Sequence, residues 1–166
     1  DRYRAAIVEH CLGRGLSVAS HDDATLAHVE ESARYGMSIA EFPTTLEAAR
    51  GCRQLGMNVL MGAPNVVRGG SHSGNVAAAG LAAEGLLDIL SSDYYPASLL
   101  QAAFVLADQQ DGGDLSRAVR MISLAPARAA GLNDRGEIAI GLRADLVQAR
   151  SREGLPVVQQ VWRQAK

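Results

Sequence analysis

The chain has 166 residues and a formal net charge of −2; hydrophobic residues make up 48% of it and aromatic residues only 4%. This length fits one domain of ordinary size, whose core must be filled mainly by Ala, Leu and Val. The slightly acidic balance argues against a general nucleic-acid binder, and no apolar run approaches the roughly 20 residues of a membrane-spanning helix. Cys11 and Cys52 lie in helical patterns, so we expect reduced core thiols in a cytoplasmic protein.

Helical and strand patterns alternate along the first 125 residues. The spacing of apolar residues predicts helices at residues 2–13, 25–35, 44–55, 77–83, 97–109 and 115–123. Short apolar runs predict strands at residues 16–20, 37–40, 57–61 and 86–90, with a polar loop at residues 62–75. Either Thr44 or Thr45 is expected to cap the third helix. Because the predicted strands are short and mainly apolar rather than alternating, we expect them to be buried on both faces of one sheet.

Each predicted strand is followed by a helix, which is typical of an α/β protein with a parallel sheet. In such folds the functional loops lie at the carboxyl ends of the strands. His21, Glu41 and Asp93 each fall at the end of a predicted strand, and His72 lies in the loop after the third strand. These side chains are therefore expected along one edge of the sheet, where imidazole and carboxylate groups suit a metal ion.

One loop has the chemistry of an anion-binding site; it consists of Arg68, Gly69, Gly70, Ser71, His72 and Ser73. Glycines allow backbone N–H groups to approach an oxygen anion, and arginine offers a planar fork for bidentate phosphate contacts. The serine hydroxyls add donors, and His72 would donate to a phosphate oxygen or protonate a leaving group. Loops of this composition are also common as flexible connections, so the isolated motif leaves both interpretations open.

The pattern changes after Ser123. A short helix is predicted at residues 126–131, and a turn follows at residues 133–136. Strands are predicted at residues 137–140, 145–147 and 157–163. This tail is expected to form a β meander rather than another strand–helix unit.

Long segments of the chain resemble the amidohydrolase superfamily. The tail LAPARAAGLNDRGEIAIGLRADLV is similar to the stretch in which those enzymes leave their barrel and enter a small β-sandwich. Within the superfamily, four segments resemble the diphosphatases of phosphonate metabolism. These segments are ASHDDAT, AEFPTT, MGAPNVVRGGSHSGNVAA and GLLDILSSDYYPASLL. The resemblance extends from Arg2 to Val161.

The resemblance implies an α/β fold in which residues 1–125 form the second half of a TIM-type (β/α)8 barrel, with about four βα units, and residues 126–166 form part of a small β-sandwich domain. Such enzymes carry His-x-His on their first strand and often a modified lysine on the fourth. This chain has no His-x-His, and its one lysine is Lys166. We therefore expect the chain to be inactive by itself and to associate, either as a homo-oligomer or with a missing half.

The resemblance also implies a divalent metal site, with zinc expected and manganese or magnesium as alternatives. His21 corresponds to a metal-ligating histidine after strand five. Asp93 corresponds to the aspartate of strand eight, which ligates metal and accepts a proton from the attacking water. Glu41 stands where many members have a histidine, so it is expected to ligate metal or to hydrogen-bond substrate. Asp22 and Asp23 either orient the imidazole or cap the next helix.

The implied activity is hydrolysis of a phosphoanhydride in a ribose 1-phosphonate 5-triphosphate, with release of pyrophosphate. The expected partner is this small phosphorylated substrate, and neither nucleic acid nor membrane is expected. Two alternatives stay open. One is an amidohydrolase that cleaves C–N bonds, such as a deacetylase or cyclic amidase, although a neutral amide needs no cradle like the Arg68 loop. The other is a non-catalytic module that binds an anion or a protein partner.

Overall fold

A computed structural model describes residues 2–71, 73–109 and 114–163 of the chain. Its elements are, in chain order, α1 Arg2–Leu12, β1 Ala19–His21, α2 Leu26–Arg34, β2 Ile39–Glu41, α3 Leu46–Gln54, β3 Asn58–Gly62, α4 Ala63–Arg68, α5 Ala78–Ala83, β4 Ile89–Ser91, α6 Ser98–Gln109, α7 Leu115–Ile122, α8 Leu124–Ala129, β5 Leu146–Arg152 and β6 Leu155–Trp162. Each of the first four strands is followed by a helix, as predicted. Within the described ranges no helix is both long and apolar enough to cross a membrane.

The first four strands form one parallel sheet in the order β1-β2-β3-β4. His21 pairs with Glu41 across β1 and β2, and Gly62 pairs with Ser91 across β3 and β4. All four carboxyl ends therefore lie along one edge of the sheet, where the sequence places the candidate side chains. The predicted α/β fold with a parallel sheet is confirmed.

The core lies between this sheet and its helices and is built from small and aliphatic side chains. Ile89 and Leu90 are consecutive in β4, so their side chains point to opposite faces, and both are buried. This confirms, for β4, the expectation of a strand covered on both faces. In β1 the expectation is wrong, because Ala19 and His21 are exposed and only Ser20 between them is buried. From the helices, Ala49 and Cys52 of α3 and Leu106 of α6 are completely buried. Alanine and aliphatic residues thus fill most of the interior, as the composition predicts.

Threonine hydroxyls cap the beginnings of two helices. Thr25 Oγ1 accepts the His28 N–H at 3.3 Å and caps α2. Thr45 Oγ1 accepts the Ala48 N–H at 3.1 Å and caps α3, which settles the choice between the two threonines. Local capping chemistry is readable from the sequence because both partners lie within three residues of each other.

The predicted loop at residues 62–75 is wrong over its first half, because Ala63–Arg68 form the helix α4. Pro64 stands in the first turn of α4, where its missing N–H leaves no hydrogen bond unmade. Gly69 ends the helix in the left-handed conformation, with a φ of 81°. The sequence did not predict this helix because it is only six residues long and lies directly between the strand and the glycine pair.

The predicted strand at residues 137–140 is also wrong. Ile138 and Ile140 are exposed, and this segment has no strand partner among the described residues. The predicted β meander is instead a two-stranded antiparallel ribbon, in which β5 and β6 pair with one register shift between Gln148 and Ala149. An alternating apolar pattern predicts a strand only if a partner supplies the ladder hydrogen bonds, and the pattern does not contain that information.

Candidate active site

Three of the four parallel strands are followed by a residue in the left-handed conformation. The φ angles are 57° at Asp22, 57° at Phe42 and 50° at Asp93. Asp22 and Phe42 continue the parallel ladder for one more bond, since their N–H groups donate to the carbonyls of Glu41 and Leu60. Residues other than glycine avoid this conformation, and residues strained in this way concentrate at functional sites. The strain therefore marks the carboxyl edge of the sheet as the candidate site.

His21 lies between two carboxylates at this edge. Its Nδ1 is 3.1 Å from Asp22 Oδ2, and its Nε2 is 3.9 Å from Glu41 Oε2. The Phe42 ring packs edge-on against the imidazole, with ring centroids 5.5 Å apart. Asp22 thus takes the position of a group that orients the imidazole, which leaves the second ring nitrogen on the side of Glu41.

Asp23 does not share this arrangement. Its carboxylate is buried and accepts hydrogen bonds from the hydroxyls of Ser20, at 2.5 Å, and Ser32, at 3.5 Å. The same carboxylate lies near Cys52, where burial in the first place and the charge of Asp23 in the second raise the pKa of the thiol to about 12. Of the two predicted partners for the imidazole, the structure therefore places Asp22 beside His21 and Asp23 in the interior.

The Asp93 side chain packs against the backbone of Gly62. A Cβ atom added to Gly62 would stand 3.0 Å from Asp93 Oδ2 and 3.4 Å from Asp93 Cβ. A side chain at residue 62 would therefore require the Asp93 carboxylate to shift by a few tenths of an ångström. Sequence reasoning missed this role of Gly62, for which the one signal was a glycine at the end of a buried strand.

A cavity of about 220 Å³ opens at the same edge. It brings Asp93 together with four members of the predicted anion loop, which are Arg68, Gly70, Ser71 and Ser73. From β1 and β2 the lining comes from Asp22 and Phe42, the residues that follow His21 and Glu41. The candidate base and the candidate phosphate-binding side chains thus share one cavity, while His21 and Glu41 face each other beside it.

Arg68 is tied to the strand-end loop of β4. Its Nη1 donates to the hydroxyl of Tyr94 at 3.2 Å, so the guanidinium is held next to the residue that follows Asp93. A second, mostly apolar cavity of about 440 Å³ adjoins the first and is lined by Pro64, Val67, Arg68, Tyr94 and Tyr95. Arg68 and Tyr94 therefore line both cavities, the polar one and the apolar one.

The two glycines of the predicted anion loop act differently from the expectation. The Gly69 N–H donates to the Val66 carbonyl at 3.1 Å, and the Gly70 N–H donates to the Asn65 carbonyl at 2.8 Å. Both N–H groups end α4 and are engaged there, rather than pointing to a bound anion. Glycine is needed for the backbone, which has φ angles of 81° and 156° at these positions.

Further donors of this segment include the hydroxyls of Ser71 and Ser73, which line the cavity. We call residues 69–71 and 73–77 the glycine loop. In it the Ser73 N–H donates to Ser71 Oγ at 3.2 Å, which folds the chain between the two serines. His72, predicted to donate to phosphate or to a leaving group, lies outside the described residues. Among the described residues, no group of three or more His, Cys, Asp or Glu side chains is arranged to hold a metal ion.

The chain is similar in sequence to known proteins. A sequence profile of the Amidohydrolase family matches residues 5–163. The alpha-D-ribose 1-methylphosphonate 5-triphosphate diphosphatase of Escherichia coli (strain K12) is 59% identical over 164 residues. That match covers 98% of this chain and 43% of the relative, so the chain spans less than half the length of this curated protein.

Solved structures agree in fold at low identity. An uncharacterized protein has a TM-score of 0.69 at 20% identity, over 96% of this chain and 47% of its own. An uncharacterized metal-dependent hydrolase from Pyrococcus furiosus has a TM-score of 0.62 at 16% identity, over 84% of this chain and 34% of its own. At these identities the likeness establishes the fold alone.

Proposed function

The chain belongs to the amidohydrolase family, and we propose that the protein containing it is a metal-dependent hydrolase that releases pyrophosphate from a ribose 1-phosphonate 5-triphosphate. The observation that carries the proposal is the shared cavity of Asp93 with Arg68, Ser71 and Ser73. The 59% identity to the Escherichia coli diphosphatase supports the choice of substrate. The free thiols Cys11 and Cys52 suit a cytoplasmic enzyme.

In this proposal the sheet of β1–β4 is part of a larger (β/α)8 barrel. Residues 1–125 supply four of its βα units, and residues 126–166 belong to a small β domain. The order β1-β2-β3-β4, without crossing connections, is the order in which barrel strands follow one another. The side chains at the carboxyl edge then lie at the mouth of the barrel, where enzymes of this fold carry their active sites.

The donor chemistry at the sheet edge fits a divalent metal. His21 and Glu41 offer a nitrogen and an oxygen donor 3.9 Å apart, and both side chains reach solvent. These two residues, with Asp93, would hold the metal, and zinc is favoured because it accepts both kinds of donor. When bound, the metal supplies a Lewis acid that polarises a phosphoryl oxygen. The described residues do not by themselves form a complete group of metal ligands, so further ligands are required beyond these.

The side chains that line the cavity have separate roles in binding phosphate and in accepting a proton. Arg68 offers its planar fork to phosphate oxygens, and the hydroxyls of Ser71 and Ser73 donate beside it. Tyr94 keeps the guanidinium near Asp93. Asp93 accepts the proton of the attacking water, since its carboxylate lies in the same cavity as these donors. His72 keeps its predicted role as a donor to phosphate or to the leaving group.

Replacement of Asp93 by asparagine tests the proposal. In the full-length protein, Asp93→Asn is expected to lower kcat for pyrophosphate release by about 10²- to 10⁴-fold, because the amide cannot accept the proton. Asp108→Asn, at an exposed carboxylate of α6, is the matched control and is expected to retain activity. Unchanged turnover in Asp93→Asn would refute the assignment.

Two further measurements separate the alternatives. Faster turnover of an N-acetylated amine than of the triphosphate would favour an amidohydrolase acting on C–N bonds. A full-length protein that retains no metal under any loading condition would favour a non-catalytic binding module. The Arg68 side chain beside the serines favours the triphosphate, since a neutral amide has no charge for a guanidinium to bind.

A further inference from the structure

Asn65 binds both ends of the glycine loop. Its backbone carbonyl accepts the Gly70 N–H at 2.8 Å, where the loop leaves α4. Its side-chain Oδ1 accepts the Ala78 N–H at 2.9 Å, where α5 begins. Its Nδ2 donates to the Val76 carbonyl at 3.5 Å. A single residue therefore closes the loop on itself.

The side chain at position 65 must both accept and donate. Ala77 is the N-cap of α5 and provides no side-chain cap, so the Ala78 N–H depends on an acceptor from outside its own helix. An asparagine amide offers this acceptor together with a donor for Val76 on one short side chain. Aspartate would keep the acceptor but place a negative charge in the cavity, and leucine would provide neither group.

The far end of the loop is also joined to the neighbouring strand ends. The Val76 N–H donates to the Thr44 carbonyl at 3.0 Å, and the Thr44 N–H donates to the Asp23 carbonyl at 2.9 Å. A continuous series of hydrogen bonds thus connects the loops after β1, β2 and β3, and it ends at Asn65.

We infer that Asn65 is a positioning residue, which fixes the glycine loop so that Ser71 and Ser73 face the cavity that contains Asp93. Its role in binding rests on the proposed function of this cavity as a phosphate site. A loop that is already ordered loses less entropy when it binds an anion, so removal of Asn65 weakens binding. The expected kinetic result is a KM about tenfold higher with kcat changed by less than about threefold, because substrate and transition state use the loop alike.

The test uses Asn65→Leu and Asn65→Asp in the full-length protein, with inorganic pyrophosphate as the probe. In Asn65→Leu, the Ala78 amide is expected to exchange its hydrogen about tenfold faster, and pyrophosphate binding is expected to weaken about tenfold. In Asn65→Asp, the retained oxygen is expected to keep Ala78 exchange within about twofold of wild type, while the added charge weakens pyrophosphate binding. Protection of the Val59 amide in the core of the sheet shows that each variant is folded.

Asn58→Leu is the matched control. Asn58 Nδ2 donates to the Ser38 carbonyl at 3.4 Å near the opposite end of β3, so its loss is expected to change neither Ala78 exchange nor pyrophosphate binding. Unchanged Ala78 exchange in Asn65→Leu would overturn the inference, as would faster exchange with unaltered pyrophosphate affinity. If the wild-type protein neither binds nor releases pyrophosphate, the proposed function fails, while hydrogen exchange at Ala78 still decides whether Asn65 holds the loop.

Discussion

At the residue scale, the Asp93 carboxylate lies in close contact with the backbone of Gly62, which has no side chain. A Cβ at Gly62 would stand 3.0 Å from Asp93 Oδ2. The backbone of Gly62 has a φ of −72° and a ψ of 129°, which alanine adopts freely. Gly62→Ala is therefore expected to fold normally but to lower kcat by about 10- to 100-fold, since small displacements of a reacting group are costly. Pyrophosphate release by the full-length variant measures this.

Gly80→Ala provides the control for the same chemical change. Gly80 lies within α5, and a Cβ there would meet no atom within 4 Å. This variant is expected to retain activity and to gain up to about 1 kcal/mol in the free energy of unfolding, because alanine is the better helix former. Full activity in Gly62→Ala would mean that the reaction does not depend on where Gly62 allows the Asp93 carboxylate to lie.

Individual residues with left-handed backbone conformations also shape the strand ends. Asp22, Phe42 and Asp93 each adopt a conformation that disfavours a side chain by about 1–3 kcal/mol. Packing and ladder hydrogen bonds must supply the compensation, as the Phe42 N–H does by donating to the Leu60 carbonyl. The sharp bend brings the Asp22 and Asp93 side chains to one cavity and the Phe42 ring against His21.

At the scale of whole elements, Thr45 joins a helix to the neighbouring loop. Its Oγ1 caps α3 through the Ala48 N–H and also donates to the Ala24 carbonyl at 2.8 Å. Thr45→Ala is expected to lower the free energy of unfolding by about 2 kcal/mol, the sum of a lost cap and a lost hydrogen bond. Urea unfolding followed by circular dichroism measures the change.

Thr25→Ala is the corresponding change at the start of α2, where Thr25 Oγ1 caps the helix through the His28 N–H. Its expected loss is about 1 kcal/mol, as is usual for a threonine cap. If both variants lost the same free energy, the bond from Thr45 to Ala24 would contribute no stability, and the hydrogen-bonded connection between the loops after β1 and β2 would be weaker than its geometry indicates.

At the scale of the whole molecule, Cys52 connects stability to pH. Burial and the nearby Asp23 raise the pKa of its thiol from 9.0 to about 12. Since the unfolded chain releases this proton near pH 9, the contribution of the thiol to stability is complete below pH 9 and is lost as pH rises towards 12. Between pH 8 and pH 10 the expected loss is about 1 kcal/mol.

The measurement compares wild type with Cys52→Ala at the two pH values by urea unfolding. The variant loses packing at both values alike, so only the difference between its pH dependence and that of wild type reports the thiol. Val29→Ala, which removes buried volume at a site without an ionisable group, is the control and is expected to leave the wild-type pH dependence in place. Identical pH dependence in wild type and Cys52→Ala would exclude a raised pKa at Cys52.

The sequence by itself determined the alternation of strands and helices, the composition of the core and, to within two threonines, the cap of the third helix. These features depend on neighbours within a few residues or on the burial of short, mainly apolar runs, and both are visible in a linear pattern. The same reasoning selected Arg68, Ser71, Ser73 and Asp93, which the fold brings into one cavity because parallel strands present their carboxyl ends at a common edge.

Only the tertiary structure decided how these groups are held. The fit of Asp93 against Gly62, and the binding of Ala78 by Asn65, join residues 31 and 13 positions apart in the chain. The N–H groups of Gly69 and Gly70 are engaged by α4, and the predicted strand at 137–140 has no partner among the described residues. Hydrogen-bond partners and close contacts of this kind depend on which segments meet in space, and a one-dimensional pattern of apolar and polar residues does not contain that information.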